Sequence, residues 1–238
     1  ELINTYCYNL EPGSKELTAL NYYTNEEITI PLDPTQTPGE NAQRYFAKYN
    51  KQKRTFEALT ELIQETADDI QYLESISNAL DIALSEADLA QIKEELMQSG
   101  YIRRKHTKKK VKLTSKPMHY ISSDGYDMYV GKNNLQNEEL TFSFANGNDW
   151  WFHAKGAPGS HVIVKSVGDE LPDRTFEEAG RLAAYYSKNR GADKVEIDYI
   201  QKKHVKKPNG AKPGFVVYYT NYSLIIDSDI SNIKNVQD

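Results

Sequence analysis

The 238-residue chain has one cysteine, Cys7. A single thiol excludes an internal disulfide framework and any cysteine-based zinc site, and it fits a reducing cytoplasm. Cys7 stands in an alternating Tyr-Cys-Tyr stretch, which predicts a small buried strand residue rather than a catalytic thiol. No apolar run reaches the ~18 residues of a membrane helix, so no membrane partner is expected. No G-x-x-x-x-G-K-[ST] loop is present, which excludes a Walker-type nucleotide site. His153 and His161 are eight apart with no carboxylate at helical spacing, so they form no metal-binding pattern. No cofactor and no metal are expected. The chain opens on Glu1 without a charged-then-apolar leader, which reads as a piece of a longer protein whose N-terminal part lies elsewhere.

Proline and glycine are absent between Gly39 and Gly100. A long helix is expected there. Thr37-Pro38-Gly39-Glu40 is its start signal, with Thr37 as cap and Glu40 completing a capping box. Ala42, Tyr45, Tyr49, Phe56, Leu59, Ile63, Ile70, Leu73 and Leu80 fall on a heptad seam, interrupted by Gln52, Thr66 and Ser77. Ser85 with Asp88 caps a second helix, which Gly100 stops. The reading is an antiparallel hairpin of unequal limbs, or a homodimer through the coiled-coil seam. Before it, Asn4–Leu10, Leu17–Tyr23 and Glu27–Leu32 read as short strands.

The net charge of −5 hides a division. Residues 1–100 hold 7 Lys+Arg against 18 Asp+Glu, and residues 101–238 hold 22 against 16. Such asymmetry points to a nucleic-acid-facing part in the second portion. Arg103, Arg104, Lys105, Lys108, Lys109 and Lys110 open that portion as an extended basic linker. It is either a solvated joint or a phosphate-binding tether.

Residues 117–238 read as a compact domain. A hairpin is expected about Asp124-Gly125, and strands over Trp150–Ala154, His161–Lys165, Val195–Ile200, Phe215–Thr220 and Tyr222–Ile226. Thr175-x-x-Glu178 reads as a capping box before a helix burying Ala179, Leu182, Ala183 and Tyr186. Both tryptophans sit in Asp149–His161. Alternation sends Trp150 and Phe152 to one face and Trp151 and His153 to the other, one indole in the core and one a stacking platform. Trp151, His153, Lys155, Gly159, Ser160 and His161 are therefore candidate RNA contacts, the glycine-rich turn offering backbone N–H groups to a phosphate. The alternative is two core tryptophans. Adjacent Ser160 and His161 make a poor nucleophile–base pair, so no catalytic residue is assigned. Lys202, Lys203, His204, Lys206, Lys207 and Lys212 form a second basic constellation in a Pro/Gly-rich loop, which either tracks phosphates or serves as a soluble hairpin loop.

Three segments then resemble the NFACT family: Asp149–His161, Lys206–Gly214, and Asn41–Lys51. The resemblance covers the chain in order. It implies a short β element over 1–36, a coiled-coil hairpin arm over 37–100, a basic linker over 101–116 and an NFACT-R-like RNA-binding domain over 117–238. The fold class is then α+β: a long helical coiled-coil hairpin followed by a compact mixed α/β domain with a mainly antiparallel sheet. It also implies partners, namely the large ribosomal subunit obstructed by peptidyl-tRNA, and tRNA. Template-free alanine tailing of the stalled chain would follow, with peptide-bond chemistry left to the ribosome. The expected location is cytoplasmic and ribosome-associated. The alternative is fibronectin binding at the cell surface, without a visible signal or anchor.

Overall fold

The computed structural model describes residues 1–103, 115–166 and 170–236. They divide into two compact units, Glu1–Ala67 and Asp68–Asp238. In the first, strands β1 (Glu16–Asn21) and β2 (Glu26–Pro31) form an antiparallel hairpin. Helix α1 (Leu2–Tyr6) and a 3₁₀ turn (Cys7–Asn9) replace the strand expected over Asn4–Leu10. Helical spacing explains the difference. It brings Ile3 and Tyr6 onto one side, where they pack with Leu17, Ala19 and Leu32. Cys7, expected to be buried, is exposed.

Helix α2 (Pro38–Ile82) starts as the sequence reads. Thr37 N donates to Glu40 Oε2 at 2.7 Å, and Glu40 N donates to Thr37 Oγ1 at 3.3 Å. Within the first unit, Tyr49, Phe56, Leu59 and Ile63 of its seam are exposed. In the second unit, helix α3 (Glu86–Gln98) opens on the Ser85–Asp88 capping box and packs Ile92 against Tyr72, Ile76 and Ala79 of α2.

The second unit is built on a seven-stranded antiparallel sheet, order β8-β7-β5-β6-β4-β3-β9. The strands are β3 (Met118–Ile121), β4 (Asp127–Val130), β5 (Trp150–Ala154), β6 (Val162–Val164), β7 (Val195–Gln201), β8 (Tyr222–Ile226) and β9 (Lys234–Asn235). One face lies under helix α5 (Asp173–Tyr185), whose Ala179, Leu182 and Ala183 close on Phe152, Val162 and Ile197. The other face carries helix α4 (Asn134–Glu139), the π-helical turn Leu140–Phe144 and the 205–218 segment. Two readings change. Thr175 and Glu178 do not cap α5, whose N-cap lies three residues earlier, at Pro172. They are buried instead: Glu178 accepts from Ser123 N and Oγ, and Thr175 donates to Asp124, pinning the β3–β4 turn. Phe215–Thr220 is no strand. Its only ladder contact among the described residues is a bridge between Lys206 and Val217, because Pro208 and Pro213 interrupt the run before it.

Candidate nucleic-acid interface

Strand β5 sits between β7 and β6, and its alternation is as the sequence predicts. Phe152 joins the α5-side core with Trp150 packed on it, while Trp151 enters the core of the opposite face. Trp151 is 0% exposed, so it cannot be the stacking platform expected of it. Trp150 is half-buried and meets Phe176 edge-on at 4.9 Å. Burial of an apolar ring under Ile163, Ile200 and Val205 outweighs any gain from leaving it open.

Trp151 forms the floor beneath two imidazoles. Its ring stacks on His153 at 5.6 Å and meets His161 edge-on at 5.1 Å. His161 is 2% exposed, its Nδ1 2.8 Å from Thr141 Oγ1, and its backbone N donates to Asn137 Oδ1 at 3.0 Å. Burial pushes the His161 imidazole well below its usual range, and the neighbouring His153 adds to this. Burial likewise pushes His153 down to about 4, against the pull of Asp198 and the Gly159 carbonyl. Both rings are therefore neutral near pH 7. The neighbouring Asp149 accepts from Lys165 Nζ at 2.5 Å, Asn146 N and Ser166 N. Ser160 is 1% exposed and its Oγ has no partner among the described residues. Ser160 and His161 are thus wall residues of the fold, and neither presents its side chain to solvent as a phosphate contact would.

The 155–161 loop is held by close backbone approach. Gly159 bridges Ser187, and a Cβ there would lie 2.9 Å from Ser187 Cβ. Ser160 N donates to Tyr186 O, and Lys188 N to Pro158 O. The loop meets the 214–218 segment around an open cavity of about 200 Å³. Gly156, Pro158, His153, Asn137, Phe215 and Tyr218 are among its walls. Gly214 has φ +80°, and a Cβ would lie 3.0 Å from Asn134 Cβ, so glycine lets this strand of chain close on α4.

The cations are distributed unevenly. Lys155 pairs with Glu196 at 2.5 Å, and Lys207 with Glu138 at 2.8 Å. Lys212 pairs with Asp69 and lies over the rings of Tyr72 and Tyr101. Lys202 stands 5.8 Å over the Phe142 ring. Lys203, His204 and Lys206 are exposed, with no ion pair among the described residues. Arg103 is also exposed, whereas Arg104, Lys105, Lys108, Lys109 and Lys110 lie outside the described residues. The structure therefore brings His153, Gly159 and His161 to one cavity with Gly214 at the end of the second loop, leaves Lys155 beside it in the chain, and sends Lys202–His204 to a 3₁₀ turn after β7.

Several supporting residues were missed from sequence. Asn133, Asn134, Gln136 and Asn137 are all buried in α4 and its cap. Asn134 Nδ2 donates to Ser75 Oγ and Glu95 Oε1, and Gln136 Nε2 to Gln91 Oε1. Four carboxamides in five residues were the available signal, since buried amides persist only in satisfied networks.

Comparison with known proteins fits this architecture. Residues 1–115 match the NFACT N-terminal and middle domains, and residues 116–219 match the NFACT protein RNA binding domain. The chain is 43% identical over its whole length to the Rqc2 homolog RqcH of Streptococcus suis, spanning 43% of that protein. It is 41% identical to RqcH of Bacillus subtilis, covering 98% of this chain and 41% of that one. The chain thus spans less than half the length of these relatives. A solved structure, the C-terminal of the fibronectin/fibrinogen-binding protein from Streptococcus suis, superposes with TM-score 0.74 at 43% identity, covering 82% of this chain and 80% of that one. By sequence and by fold, the chain belongs to the NFACT family.

Proposed function

We propose that this chain is the ribosome- and RNA-contacting part of a ribosome quality-control factor. It binds the large subunit obstructed by peptidyl-tRNA, engages tRNA and supports template-free alanine tailing in the cytoplasm. The chain itself carries no catalytic residue in this reading. The observation that carries it is the meeting of the 155–161 loop and the 214–218 segment around one open cavity, within the region that matches an RNA-binding domain. The exposed Lys203, Lys206 and Arg103 supply phosphate contacts. The arm is proposed to span 37–100 and the RNA-binding domain to begin at 117. Co-sedimentation with large subunits carrying peptidyl-tRNA across a salt series tests this. Binding should weaken steeply with salt, by ~0.7–0.9 in log–log slope per phosphate contact. Salt-independent or absent binding counts against it.

The name of the solved relative supports a second reading, capture of fibronectin. Strand β8 is one edge of the sheet, with Tyr222 and Ile225 exposed, and could accept an added strand. Fibronectin binding that survives Lys203→Gln/Lys206→Gln but fails with Ile225→Pro would favour it. The exposed seam of α2 is proposed to pair in a homodimer. A strict monomer by light scattering ends that idea.

A further inference from the structure

The cavity between the 155–161 loop and the 214–218 segment has an unusual chemistry for a site flanked by lysines. None of its lining residues is Lys, Arg, Asp or Glu. Its two imidazoles are uncharged near pH 7, as argued above. A phosphate placed inside would find no countercharge and would lose its water. The walls instead mix carboxamides and a hydroxyl (Gln71, Ser75, Asn137) with flat apolar surface (Pro158, Phe215, Tyr218). That is the complement of a neutral planar ring with donors and acceptors on its edge. About 200 Å³ is below the roughly 300 Å³ at which drug-sized pockets begin, which limits the occupant to something the size of one ring system.

The cations stand next to the cavity walls in the chain rather than in them. Lys155 precedes Gly156, Lys188 is tied through its backbone to Pro158, and Lys212 lies two residues before Gly214. Each is held by an acid, Glu196, Glu74 and Asp69 respectively. Behind the wall, Trp151 Nε1 and Ser160 Oγ have no partner among the described residues.

We propose that this cavity takes a single unpaired nucleobase of RNA, read along its edge by Gln71, Ser75 and Asn137 and held on its face by the aromatic wall, while the sugar-phosphate stays outside on the flanking lysines. Sequence-dependent RNA recognition works in this way on splayed-out bases. The inference rests on the RNA-binding reading above and assigns it a base-specific seat.

The test uses the full 238-residue chain and four-nucleotide single-stranded RNAs: A, C, G and U tetramers, and an abasic ribose-phosphate tetramer. Binding is followed by calorimetry and by tryptophan fluorescence, to which Trp150 and Trp151 both contribute. At least one base-bearing tetramer should bind about tenfold more tightly than the abasic one, as stacking of a base predicts. Ala157→Trp, which places a ring in the cavity wall, should abolish that difference. Should that variant fail to fold, Gln71→Ala replaces it, since Gln71 is exposed. It should reduce the preference among the four bases severalfold. Equal binding of abasic and base-bearing RNAs, with a normal salt slope, overturns the base seat and leaves the RNA reading intact. A cavity made for a protein side chain would give that same indifference to bases. No binding of any RNA at low salt overturns both.

Discussion

The two faces of the large sheet are built on opposite terms. Under α5, Phe152, Val162 and Ile197 meet Leu182 and Ala183 in a fully buried apolar layer. On the other face, Trp151 and Ile163 share their layer with His161, Asn137 and Thr141, and an open cavity lies beside them. The closed face can only stabilise. The polar face has donors and acceptors already oriented by each other, which is what recognition requires. Alternation along β5 is what assigns each residue to its job.

The sharpest break in that comparison is Phe152→Ala. Removing this buried ring should cost about 3–5 kcal/mol in urea denaturation. Any RNA affinity measured on the folded fraction should stay at the parent value. A loss below ~1 kcal/mol would erase the distinction between the faces.

Acid should act through the polar face. His153 is held down to about 4 in the fold, and His161 also lies below its usual range. Unfolded imidazoles titrate near 6.5. Below about pH 6.5 the unfolded chain binds protons that the native chain refuses, so stability is present above that pH and falls toward pH 4. His153 alone should account for a loss on the order of 3 kcal/mol by pH 4. The buried Glu95 carboxyl is pushed up and works in the opposite direction, offsetting part of this. Denaturation midpoints from pH 7 to pH 4.5 read the effect. His153→Gln should flatten the slope, and Phe152→Ala should not.

The elements of these faces were legible to different degrees. Period-2 alternation gave β5 and its two faces, and the runs at Val195 and Tyr222 gave β7 and β8, because short-range pattern decides them. The Thr37 and Ser85 caps were equally local. Thr175 and Glu178 misled because a capping box and a buried turn clamp use the same residues, and only the distant Ser123 and Asp124 distinguish them. Trp151 misled because alternation tells which face a residue takes but not whether the Leu140–Phe144 turn and the 205–218 segment cover it. The lysines were visible, whereas their acids Glu196, Glu138 and Asp69 lie far off in the chain.

Asn137 is the joint between the network and the cavity. Its Oδ1 accepts from His161 N, and its Nδ2 donates to Gly159 O at 3.3 Å. Asn137→Ala leaves a buried N–H without its acceptor and should cost about 1–3 kcal/mol. The loss should be local. Hydrogen exchange should speed up at residues 156–161 and stay unchanged in α5, whereas uniform acceleration would show that the faces are not separable.

The smallest effect concerns Lys155, and its sign is the informative part. In the free chain its ammonium is committed to Glu196, and both side chains are about half exposed. A phosphate arriving at this edge must compete with that carboxylate. Glu196→Gln should therefore tighten RNA binding severalfold at low salt, and Lys155→Gln should weaken it and lower the log–log salt slope by ~0.7. Neither change should move the denaturation midpoint measurably, since an exposed pair of this kind contributes little to folding. If Glu196→Gln weakens RNA binding instead, the carboxylate is positioning Lys155 for its phosphate rather than occupying it.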